Sequence, residues 1–120
     1  MNRYELTQFI EETFDIKGES LWVHFPNYLV FRNPRNRKWF GLIGDVERSK
    51  LGLDGQGKVD VFVFKCDPIM TGTLLDEKGF LPAYHMSRKS WMTALLDGSA
   101  NEEKIKELTC IAYEIIESKK

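Results

Sequence analysis

Lys58-Val59-Asp60-Val61-Phe62-Val63-Phe64-Lys65 is the stretch that decides the fold. From Val61 to Phe64, β-branched and aromatic side chains follow one another without a polar break. Successive side chains of a strand point to opposite faces, so an extended segment here is apolar on both of them. Residues 59–65 are therefore predicted to form a central strand covered on each side. Upstream, residues 28–32 and 37–46 are rich in aromatic and β-branched types. They are separated by Asn33-Pro34-Arg35-Asn36, a turn composition that predicts a hairpin. Gly52-Leu53-Asp54-Gly55-Gln56-Gly57 breaks the chain before the central strand, and residues 91–96 are predicted to supply a fourth strand.

Helical periodicity flanks these strands. Leu6, Phe9, Ile10 and Phe14 recur against Glu5, Gln8, Glu11 and Glu12, which predicts an amphipathic helix over residues 4–15, ended by Gly18. Asp67-Pro68 has the order of an N-cap followed by proline at the first helical position, so a short helix should run toward Gly79. Ser99 and Glu102 have the spacing of a capping box, and Ile105, Leu108, Ala112, Ile115 and Ile116 form one apolar stripe beyond them. The expected fold class is α+β, an antiparallel sheet packed on one face by the N- and C-terminal helices. Its opposite face, with the hairpin loops, is where function is expected. No repeat, low-complexity tract or linker interrupts residues 1–120, which read as a single domain.

Composition narrows the function classes. A formal charge of −1 argues against a surface that traps anions everywhere, so any nucleic-acid role must rest on a local patch. Cys66 and Cys110 belong to no C-x-x-C pair and fit a reducing compartment. The opening residues lead into an amphipathic pattern rather than a signal peptide, and no apolar run approaches the roughly 20 residues of a membrane span. A soluble cytoplasmic protein is expected, monomeric or weakly homodimeric.

Charge is unevenly distributed. Residues 32–50 hold Arg32, Arg35, Arg37, Lys38, Arg48 and Lys50 against Asp45 and Glu47, a local +4. Residues 1–20 carry Glu5, Glu11, Glu12, Asp15 and Glu19 against Arg3 and Lys17, a local −3. Arg32, Arg35, Arg37 and Lys38 can follow a phosphate backbone, with Phe31, Trp39 and Phe40 as stacking surfaces and Arg88 and Lys89 as a second basic element. Charged hairpin tips also serve solubility and blunt edge pairing. Trp39 and Phe40 are adjacent and so face opposite ways, which commits at least one of them to the core.

The segment Pro82-Ala83-Tyr84-His85-Met86-Ser87-Arg88-Lys89-Ser90-Trp91 gathers a histidine, two cations and a tryptophan before a short apolar run. His85 is a candidate general base, metal ligand or phosphate donor, or else a residue that fixes this connection through a backbone carbonyl. A pocket between the sheet and this connection would have His85, Arg88 and Trp91 at its rim. His24 reads as structural or merely exposed. Catalysis lacks partners: Cys66 ends a hydrophobic strand, with no histidine nearby in sequence. The glycines at 52, 55 and 57 match neither a P-loop nor a dinucleotide fingerprint, and two histidines and two cysteines at scattered positions do not make a zinc site. No enzyme activity, cofactor or metal site is expected.

Five segments carry a resemblance: Asn36-Arg37-Lys38-Trp39-Phe40, Lys50-Leu51-Gly52-Leu53, Lys65-Cys66-Asp67-Pro68, Pro82-Ala83-Tyr84-His85-Met86 and Leu96-Asp97-Gly98-Ser99. In that colinear order, over almost the whole chain, they resemble the MmcQ/YjbR family. The resemblance implies a fold similar to CyaY, the bacterial frataxin, and a DNA-binding role described as a double-wing motif. After His85-Met86 the family pattern is Asn-Lys-x-His-Trp, whereas this chain has Ser87-Arg88-Lys89-Ser90-Trp91 and so lacks a second imidazole at position 90. Similarity to frataxin also raises cation binding by the acidic first helix, through Glu5, Glu11, Glu12, Asp15 and Glu19. The expected function is DNA binding with weak sequence preference through the basic hairpin surface. A small-molecule pocket near His85 and Trp91, or cation binding on the first helix, is the alternative.

Overall fold

Five antiparallel strands form one sheet in a computed structural model that describes residues 1–118. Helix α1 (Arg3–Phe14) comes first, followed by strands β1 (Leu29–Arg32) and β2 (Trp39–Glu47) and a 3-10 turn (Arg48–Leu51). Strand β3 (Lys58–Lys65), helix α2 (Pro68–Leu74), strands β4 (Phe80–Pro82) and β5 (Trp91–Leu95) and helix α3 (Glu102–Ser118) complete the chain. The spatial order is β1-β2-β3-β5-β4, with β3 in the middle as its two apolar faces require.

The two faces of β3 serve two separate apolar clusters. Phe62 and Phe64 point to the helices, where Leu6 and Ile10 of α1 and Ile105, Leu108, Ala112 and Ile116 of α3 bury them. Each of these side chains larger than alanine contributes about 1.5–3 kcal/mol by leaving water. Val59, Val61 and Val63 point the other way and meet Val46, Trp91 and Leu95. The helix-free face is thus only partly open. A bulge in β2 sorts its side chains: Phe31 pairs with Gly41 and Arg32 with Trp39, leaving Phe40 as an extra residue. Phe40 turns into the helical core and is fully buried, while Trp39 lies half-buried with Leu42 on the opposite face.

Several expectations are corrected. Asp15, in a left-handed conformation at φ 55°, ends α1 rather than Gly18. Helix α2 stops at Leu74, and the chain turns through Gly79 (φ 87°) into a short edge strand that sequence periodicity did not reveal. Three residues give too few alternations to read, and Pro82 ends the strand because it has no N–H for the ladder. The capping residue of α3 is Asn101, whose Oδ1 accepts from the Lys104 N–H at 2.9 Å. Ser99 instead donates its N–H and hydroxyl to Asp97 Oδ1, closing the turn at Gly98. Among the described residues, no helix is long and apolar enough to cross a membrane.

Candidate functional site

The hairpin between β1 and β2 is less available for phosphate contact than its charge implies. Arg32 makes two 2.6 Å bonds to the Glu19 carboxylate, through Nε and Nη2. The Arg32 hydrogen bond holds the Glu19 carboxyl below its ordinary pKa, and the same bond raises that of Arg32. Arg35 reaches Glu117 at 2.8 Å, near the C-terminal end of α3, where a helix attracts cations. The buried Asn33 accepts from the Arg35 N–H at 2.8 Å, and Asn36 Nδ2 donates to the Ile116 carbonyl at 3.0 Å. The turn docks on the last helix rather than projecting as a free wing. Arg37, in a left-handed conformation at φ 65°, stays exposed, and Lys38 is half-buried. Phe31 and Phe40 are fully buried and offer no stacking surface.

A concavity walled by aromatic rings lies on the helix-free face, a cleft of about 390 Å³ built by three segments distant in sequence. The irregular strap of residues 20–27 supplies Trp22 and Phe25, and Tyr28 follows just before β1. Strand β2 supplies Trp39 and Leu42, and Lys50 comes from the 3-10 turn. Tyr84, His85 and Met86, from the connection between β4 and β5, close the third side. Trp22 stands nearly perpendicular to Trp39 and Tyr28, at 80° and 88°, with centroid separations of 5.9 and 6.3 Å. The bulge at Phe40 is what turns Trp39 toward this cleft.

Tyr28 anchors the floor. Its hydroxyl donates to the Asp45 carbonyl at 3.1 Å, and its ring lies on Gly44, where a Cβ would come within 2.8 Å of it. Burial first, then the neighbouring Tyr84 and Asp45, push the Tyr28 phenol above its ordinary pKa. The strap is tethered at both ends: Glu19 pairs with Val30, and the Asn27 carbonyl accepts from Arg3 Nη1 at 2.8 Å. Asn27 Nδ2 also donates to Asp45 Oδ2 at 3.1 Å.

The predicted pocket residues divide. His85 lines the cleft, at φ 59° with its ring edge-on to Tyr84 at 4.1 Å, whereas Arg88 and Trp91 do not. Trp91 belongs to the second apolar cluster beneath the Lys65 ammonium, 5.4 Å from its ring centre. Arg88 and Lys89 are exposed on the loop that follows Met86. Hydrogen bonds that hold this connection come from the Tyr84 N–H to Thr93 Oγ1 (3.1 Å) and the Ser90 N–H to the Ser87 carbonyl. Cys66 is buried, and burial pushes its thiol up, which leaves it a poor nucleophile. Among the described residues, no three His, Cys, Asp or Glu side chains are grouped to hold a metal ion, and Glu19 of the acidic ridge is paired with Arg32.

Sequence reading missed Trp22, Phe25, Tyr28, Lys50 and Tyr84 as members of one site. The available signal was Trp22, Phe25 and Tyr28 crowded into a stretch that fits neither helix nor strand, since rings in an irregular segment need something to pack on.

Solved structures share this overall fold. A crystal structure from Pseudomonas syringae superposes with a TM-score of 0.93 at 35% identity, covering 96% of this chain and 98% of that one. A solution NMR structure from the same organism gives 0.87 at 35% identity, over 96% and 92% of the two chains. A Deinococcus radiodurans protein at 20% identity shares the fold, with a TM-score of 0.73 over 98% and 80%. The uncharacterized protein YyaQ of Bacillus subtilis (strain 168) is 33% identical over 108 residues, 90% of this chain and 92% of its own. The YjbR family model matches residues 13–115, and the chain belongs to that family.

Proposed function

We propose that this protein binds DNA without catalysing a reaction on it, using its helix-free face. Unpaired bases stack in the aromatic cleft, and the strand's phosphates run along Arg37, Lys50, Arg88 and Lys89. The observation that carries this reading is the convergence of Trp22, Phe25, Tyr28, Trp39 and Tyr84 on one cleft whose lining includes Lys50 and no carboxylate. Stacking a base on an aromatic side chain contributes about 1–3 kcal/mol and tolerates any sequence. Cations beside it release counterions from the strand, which adds affinity without base reading. Arg32 and Arg35 are left out because carboxylates hold them. Catalysis is left out because Cys66 is buried with a raised pKa, which leaves it a poor nucleophile. Its two free thiols accord with a cytoplasmic setting, where it would act as a monomer or weak homodimer.

Anisotropy titration of labelled oligo(dT) and a duplex of equal length, in low salt, tests the proposal. The single strand is expected to bind more tightly, because a paired base cannot enter the cleft. Trp39→Ala should weaken single-strand binding about tenfold, within the range for a lost stack. Lys50→Ala should flatten the dependence on salt by about 0.7 units if it neutralises one phosphate. No binding to either DNA at high micromolar protein, or binding that ignores both substitutions, overturns the proposal.

A further inference from the structure

We propose that the cleft is also a self-sufficient site for one free planar ligand carrying a phosphate, of the nucleoside 5′-monophosphate class. The inference rests on the same cleft as the DNA reading but requires no strand and no cation outside the cleft. Three observations fix the ligand's chemistry. The volume of about 390 Å³ lies within the range of small-molecule sites, and its walls are flat rings. Trp22 stands nearly perpendicular to Trp39 and Tyr28, so the lining offers rings in two orientations, and a planar guest can stack on one while meeting another edge-on.

Charge then selects among planar or caged guests. Aromatic boxes also take quaternary ammonium ions, but here Lys50 is in the lining, while the Asp45 carboxylate behind Tyr28 lies outside it and is held by Asn27 and Lys58, which disfavours a cation and favours an anion. The polar inventory points the same way. The Tyr28 hydroxyl is already committed to the Asp45 carbonyl. Lys50, Tyr84 and His85 are the remaining polar residues of the lining, and a side chain of each type can donate a hydrogen bond. A guest rich in acceptors, with a ring and one anionic group, satisfies all three.

The strap shows why the site is ready for a guest. Val23 is 89% exposed and Phe25 57% exposed, so the segment carries apolar surface that the fold leaves in water. It is nevertheless tied down at Glu19 and Asn27. Trp22 and Phe25 are therefore held at the cleft without a guest, and less ordering is needed on binding.

The test titrates the full chain with AMP, adenosine and inorganic phosphate, reading ligand-detected NMR and tryptophan fluorescence. Trp22 and Trp39 line the cleft, while the third tryptophan, Trp91, lies in the core as an internal reference. AMP is expected to bind and to quench, adenosine to bind about fivefold more weakly, and inorganic phosphate not to bind, the ratio being that of one exposed ion pair. Lys50→Ala should reduce AMP to the level of adenosine and leave adenosine unchanged. No AMP binding at millimolar ligand, or AMP binding that Lys50→Ala and Trp39→Ala leave untouched, overturns the inference. Oligo(dT) binding without AMP binding refutes this inference and leaves the DNA reading standing. AMP binding without strand binding does the reverse.

Discussion

Replacing Gly44 with alanine tests how the cleft floor is built. The added Cβ would stand 2.8 Å from Tyr28 Cε2 and 3.0 Å from two further ring atoms, closer than carbon atoms tolerate. The ring cannot swing aside cheaply, because its hydroxyl donates to the Asp45 carbonyl of the same strand. Overpacking of this kind costs about 1–3 kcal/mol, and losing the hydrogen bond adds about 1 kcal/mol. Alanine also recovers about 0.5–1 kcal/mol, since glycine is the poorer strand residue, and the net destabilisation is about 2 kcal/mol. For a chain of 120 residues the unfolding entropy is about 0.25 kcal/mol/K, so Tm should fall by about 8 °C.

Two readouts accompany the melt. Burial raises the Tyr28 phenol above its ordinary value near 10, so a displaced ring should titrate closer to that value in a tyrosinate absorbance titration. Binding of AMP and of oligo(dT) should weaken with it, because Tyr28 walls the cleft. Gly72→Ala is the matched control: nothing lies within 4 Å of its added Cβ, and the site is inside α2. That change should raise stability by about 0.5–1 kcal/mol. A Gly44→Ala protein that melts with the parent and keeps the raised tyrosine titration would refute the packing of Tyr28 on Gly44.

Three further outcomes follow from the described contacts. Asn101→Ala should cost about 1 kcal/mol in a urea melt and Ser99→Ala clearly less, because Asn101 caps the helix and Ser99 only closes the preceding turn; the reverse order would restore Ser99 as the cap. Glu19 titrates below its ordinary 4.5, so its contribution to stability is complete above that pH and is lost as pH falls through the lower folded value. Arg32→Gln should reduce that acid-side loss, as urea midpoints measured down the acid range will show. Alkylation of the folded protein should reach the half-buried Cys110 before Cys66, which is 2% exposed, and should quicken as pH rises because burial holds both thiols protonated.

Local patterns carried much of the fold. The two-faced apolar run ending at Phe64 identified the central strand, and the stripes of α1 and α3 identified the helices that cover one side of it. Where the pattern was short or ambiguous, the expectation slipped. Strand β4 has only three residues, and two candidate caps, Ser99 and Asn101, lie two residues apart. Choosing between them required knowing where Gly98 turned the chain.

The candidate site was legible only in fragments. Trp39 and His85 were each singled out, one for DNA and the other for a pocket, and the fold brings them to the same cleft. The basic hairpin was legible as charge, but its pairing with Glu19 and Glu117 was not, since those partners lie 13 and 82 positions from Arg32 and Arg35. The sequence by itself determined the α+β class, the central strand and the family, because periodicity and colinear motifs are properties of neighbouring residues. Tertiary structure alone decided which cations are neutralised and which rings share a cavity. Those depend on contacts between the strap, β2 and the β4–β5 connection, and proximity across such separations is set by sheet register and a single bulge at Phe40.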